Sequence, residues 1–185
     1  MDRYEALLVL HVVAVVIWLG AGFLLAFLIW DAERVGDKAR HLGYHQDIAR
    51  LSNRFFIPAS LSVLVLGVLL VLDGPWDFGQ LWIQIGIAGY LVSFLLGILY
   101  FKPTGERVAE LIAEDGPDHP EIDRRVGSMG VVDRVQVLIL FLVVADMILK
   151  PTGDDTGLLL GGTAILLVAL ALASLSIRRR APATA

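Results

Sequence analysis

Cysteine is absent from all 185 residues, so the chain has no disulfide framework, no thiolate metal site and no thiol from which a redox compartment could be read. Soft metal ligands are scarce as well, since methionine occurs only as Met1, Met129 and Met147. The net charge of -4 is spread over short loops and gives a nucleic acid nothing to bind. No internal repeat or low-complexity tract stands out.

What the chain has in excess is apolar length. Hydrophobic residues make up 57% of it and the mean hydropathy is +0.73, beyond the usage of soluble domains. Five apolar runs stand apart: Ala6 to Trp30, Phe55 to Leu72, Leu81 to Phe101, Val131 to Leu149 and Leu158 to Ile177. Each is near the ~20 residues a helix needs to cross ~30 Å of hydrocarbon. The expectation is an all-α protein of five transmembrane helices with the lipid bilayer as its main partner. The first run follows Asp2, Arg3 and Glu5 and is too long for a secretory signal, so it is expected to remain as the first helix.

Basic residues set the expected orientation. Five Lys or Arg lie between Asp31 and Arg54, five between Lys102 and Arg134, and three at Arg178 to Arg180, against Arg3 and Lys150 alone on the alternate side. The positive-inside rule then puts the N-terminus outside and the C-terminus inside. Pro58 is expected in the first turn of the second helix, and Asp73-Gly74-Pro75 should end that helix in a tight turn flanked by Trp76 and Trp82. Residues 105 to 113 read as a short amphipathic helix, and Glu121 to Leu149 as one long helix. Residues 1–151 are expected to form a four-helix core, residues 152–180 a peripheral fifth helix and residues 181–185 a disordered tail. Small residues at Gly86, Gly89, Ser93 and Gly97, and at Ser60 and Gly67, form stripes suited to close helix packing within the chain or to a homo-oligomer or membrane partner.

Polar groups inside apolar runs are the candidates for function. His11, Trp18 and Gly22 fall on one line of the first helix and read as a packing stripe, as a haem-binding face, or as a proton or ligand site. Asp146 precedes Lys150 by one turn and reads as a local ion pair or as part of an outer polar cluster of His11, Gln84, Asp146 and Lys150. A haem b at His11 could be five-coordinate, or take Met147, Lys150 or a partner chain as second axial ligand. Arg54, Asp133 and Arg134 read as ion pairs at the inner face, with Gln136 sharing the Asp133 face. His41 and His45, four apart, read as a solvated surface pair, and His119 as a turn residue. No metal site is expected.

Several of these features together resemble a known bacterial family. They are Leu10-His11-Val12 through Trp18-Leu19-Gly20, Pro58-Ala59-Ser60, Asp73-Gly74-Pro75-Trp76 with Trp82, and Asp146 through Pro151. The family is that of predicted integral membrane proteins known as domain of unknown function family 2269, and the likeness covers about Tyr4 to Pro151. Gly20-Ala21-Gly22 departs from the plain Gly-Gly expected after the tryptophan. The resemblance implies a multi-pass helical fold in the bacterial cytoplasmic membrane and no established activity. The first helix is more distantly similar to copper-resistance D proteins and HemJ-type protoporphyrinogen oxidases, which by analogy points to haem at His11. Copper fits poorly because soft ligands are few. The functional expectation is a membrane protein with an outer polar site around His11 and Asp146, with haem association, a non-enzymatic membrane subunit or scaffold, and a small oligomeric permease as alternatives.

Overall fold

The computed structural model describes residues 2–180, so the tail expected at 181–185 lies outside the described residues. Among them every regular element is helical. Five continuous helices follow one another: α1, Arg3–Val35; α2, Lys38–Asp73; α3, Leu81–Asp115; α4, Pro120–Leu149; and α5, Thr156–Arg180. All but α4 are long and apolar enough to cross a membrane. In α4 the apolar stretch is interrupted by Asp133, Arg134 and Asp146.

Local chemistry fixes the ends. Asp2 caps α1 through a reciprocal pair of hydrogen bonds, with Glu5 N–H donating to Asp2 Oδ1 at 2.7 Å and Asp2 N–H donating to Glu5 Oε2 at 3.0 Å. Gly36 ends α1 in the left-handed region at φ 72°, a conformation that glycine adopts without cost. His119 accepts from Glu121 N–H through Nδ1 at 3.2 Å and so caps α4, the turn role expected of it.

Pro58 stands in the first turn of the α-helical stretch Ile57–Asp73, and residues 105–113 lie in the α-helical stretch Lys102–Asp115, as expected, but neither stretch stands apart: each continues from the helix before it. Each time, a π turn lies just ahead of a proline. Ser52–Phe56 precedes Pro58, with Ile57 N–H bonded to Ser52 O, and Gly97–Phe101 precedes Pro103, with Lys102 N–H bonded to Gly97 O. A proline inside a regular helix clashes with the carbonyl four residues back. In the wider turn the N–H ahead of each proline bonds five residues back rather than four, and the helix continues.

The chain divides into two compact units, Met1–Gln84 and Ile85–Ala185. In the first, α1 packs along both halves of α2, with Ala26, Ile29, Ala32, Leu42 and Val63 buried. In the second, Val108 and Leu111 of α3 meet Ile122, Val126 and Met129 of α4 in the best buried core of the molecule, and α5 lies along α4. None of the most apolar stretch of α5 is buried, and Phe23, Phe27, Leu99 and Ile148 are among many exposed large apolar side chains. Apolar surface on that scale requires an apolar solvent.

Candidate functional site

In the first unit, the sequence-singled His11 turns toward α2. Its imidazole lies against Gly67, where an added Cβ would come within 3.2 Å of His11 Cε1 and 3.7 Å of Nδ1. The ring also makes a hydrogen bond with the Val63 backbone, while Nδ1 is buried without a partner. Trp18 is half-buried on the same helix, and a Cβ at Gly22 would meet nothing within 4 Å. These residues do not fit a haem. A macrocycle on the imidazole would have to part α1 from α2 at Gly67.

Near the start of α1 a polar latch joins that helix to the turn after α2. Trp76 Nε1 donates to Tyr4 Oη at 3.0 Å, Arg3 meets Asp73 at 3.1 Å, and Trp82 sits edge-on to Trp76 with ring centres 5.2 Å apart. Gly74 is required there, because a Cβ would lie 2.6 Å from Tyr4 Cε2. Gln84, expected in a polar cluster, donates instead to the Phe78 carbonyl at 3.2 Å and is exposed. At the far end of the unit Arg54 is exposed within the π turn.

His45 corrects the expectation of a solvated pair. It is 5% exposed and neither ring nitrogen has a partner, while its ring centre lies 5.0 Å from that of His41. Burial, with a smaller push from His41, lowers its pKa to about 4. The signal in the sequence was the i, i+3 spacing of Leu42 and His45, which puts both on the face of α2 that meets α1.

The second unit holds the least satisfied polar group in an apolar stretch. Asp146 is 7% exposed and neither carboxylate oxygen has a hydrogen-bond partner. It faces Gly86 of α3, where a Cβ would lie 3.6 Å from Asp146 Oδ2 and would collide with Met147 Cε. One turn further, Gly89 accepts Val143 and Ile139 in the same way. Ser93 continues the stripe, 2% exposed with an unpartnered hydroxyl, and Gln136 on the facing side of α4 buries an unpartnered Oε1. Below them Tyr100 donates to Ser128 Oγ at 3.0 Å, and Ser128 donates to the Arg125 carbonyl at 2.8 Å. Lys150 closes α4 in the left-handed region at φ 48°, its N–H bonded to the Asp146 carbonyl. Asp133 and Arg134 lie on α4 three and two residues before Gln136. Sequence reasoning had both halves of this seam, the small-residue stripe and the carboxylate, without placing one against the other.

Bundled helices this apolar, with polar groups turned inward, define a multi-pass integral membrane protein. The chain matches the DUF2269 family, described as predicted integral membrane proteins, over residues 5–151, and belongs to it. No curated protein and no solved structure matches the chain.

Proposed function

We propose that this chain crosses the bacterial cytoplasmic membrane five times, N-terminus outside and C-terminus inside, and binds and releases a proton at Asp146. The reading rests on one observation, the buried and unpartnered carboxylate opposite Gly86. A charge held in hydrocarbon without a partner is costly, so such a carboxyl takes up a proton or a cation. Hard cations take about six oxygens, and no three His, Asp or Glu gather as metal ligands among the described residues. A proton needs only the one carboxyl. Counting α4 as a span follows from the ends of its apolar stretch, since Asp133 and Arg134 fall at the inner boundary and only Asp146 lies within. The thirteen-to-two division of basic residues supports the orientation, and Tyr4, Trp76 and Trp82 suit an outer aromatic belt.

A hydrophobic carbodiimide added to membranes tests the site. A protonated carboxyl adds across the reagent, its proton going to one nitrogen, and an oxygen-to-nitrogen acyl shift leaves a stable N-acylurea. Mass spectrometry should find that adduct at Asp146 and none in Asp146→Asn. Folded protein that carries no adduct at Asp146 anywhere between about pH 5 and 8 would remove the proposal.

A further inference from the structure

Asp146 stands at the head of a line of buried polar groups that continues down the α3–α4 seam. Gly86 and Gly89 establish which face of α3 meets α4. Ser93 is seven residues beyond Gly86 on that face, about 10 Å along the axis. On α4, Gln136 is seven residues before Val143 and three before Ile139, so it shares the face that meets Gly89. Ser93 Oγ and Gln136 Oε1 are both buried without hydrogen-bond partners. Tyr100 and Ser128 carry the line on through Ser128's bond to the Arg125 carbonyl, and Arg125 pairs with Glu121 by their side chains at 2.6 Å. Two groups of one apolar seam left unsatisfied in succession are a costly arrangement, and hydroxyl and carboxyl are the groups that can accept one proton while donating another.

Between Asp146 and Ser93 the line is interrupted. Val143 and Ile139 close on Gly89, and Val143 touches the space a Cβ would need. The geometry points to a gated proton path along the α3–α4 seam, with Asp146 as its proton-binding head, the Ser93 hydroxyl as its relay, Gln136 Oε1 as a buried acceptor beside that relay, and Val143 against Gly89 as its gate. This rests on the proposed protonation of Asp146. At each step one O–H bond forms and another breaks, on Asp146, on Ser93 or on water admitted between them when Val143 moves off Gly89, so a single proton crosses with no electron transferred and no co-reactant consumed.

The full chain reconstituted in vesicles, with a potassium diffusion potential and an internal pH dye, tests it through the gate. Val143→Ala should pass protons at least tenfold faster than protein-free vesicles. Val143→Thr, which keeps the packing shape and adds a hydroxyl, should do so too, guarding against a variant that fails to fold. Adding Ser93→Ala or Asp146→Asn to either should return the flux to the protein-free rate. Gate variants that remain as tight as protein-free vesicles would overturn the path, as would a flux that persists without the Ser93 hydroxyl or without Asp146. If the path fails while carbodiimide still modifies Asp146, only the path falls. If Asp146 takes no reagent, the proposed proton site falls with it.

Discussion

Two glycines three residues apart in α3 should respond differently to the same methyl group. At Gly86 an added Cβ collides with the end of Met147, a flexible side chain that can swing aside. At Gly89 it meets Val143, whose branched Cβ holds one rotamer in a helix. Gly89→Ala should therefore cost about 1–3 kcal/mol, as overpacking does, and Gly86→Ala distinctly less, measured as unfolding in mixed detergent. His45 gives a pH signature. Its unfolded pKa is 6.5 and its folded value about 4, so the unfolded chain binds the extra proton between them. Stability is full above about pH 6.5 and falls as pH drops toward 4, by about 3 kcal/mol in all. Thermal melts of His45→Leu should lose most of that acid sensitivity, and the variant should be at least as stable at pH 7, because an unsatisfied buried group has been replaced by an apolar one. At this scale the sequence identified His11 and Asp146 from their rarity in apolar runs. It could not identify their neighbours, since Gly67 and Gly86 acquire meaning only when a second helix is laid against the first.

The five helices were legible from apolar length, because a run of about twenty such residues has few other ways to satisfy its backbone. Their ends were less so. Asp73-Gly74-Pro75 and Asp115 through His119 stop helices as their turn chemistry suggests, whereas Pro58 and Pro103 carried the same local signal and stop nothing. A π turn is a hydrogen-bonding pattern with no composition of its own, so a proline that one relieves looks like any other. The latch near the start of α1 offers a test of how an element is held in place. Tyr4→Phe removes the acceptor for Trp76 Nε1 and should cost about 1 kcal/mol. Arg3→Ala, which breaks an ion pair whose arginine is largely exposed, should cost less.

For the whole molecule, reporter fusions after Val35 and Asp118 should face the cytoplasm and a fusion in residues 154–156 the outside. A cytoplasmic signal from the last of these would leave α4 off the list of spans. The two π turns also bear on how the chain tolerates lost residues. Deleting one residue from an ordinary stretch of α2, Val65 for instance, swings one half of the helix by about 100° relative to the other, so that Leu42 and Gly67 can no longer both face α1. A π turn is one residue richer than the α turn it replaces, so losing Asn53 would let α2 close into a regular helix with both halves keeping their faces. Only Pro58 would then object, its ring meeting a carbonyl again at about 3 kcal/mol. A shortened chain lacking Asn53 should thus fold poorly alone and recover with Pro58→Ala, while the same rescue does nothing for a chain lacking Val65. The additional residue in each wide turn is the length that a proline in mid-helix demands, and proline and insertion should be gained or lost together.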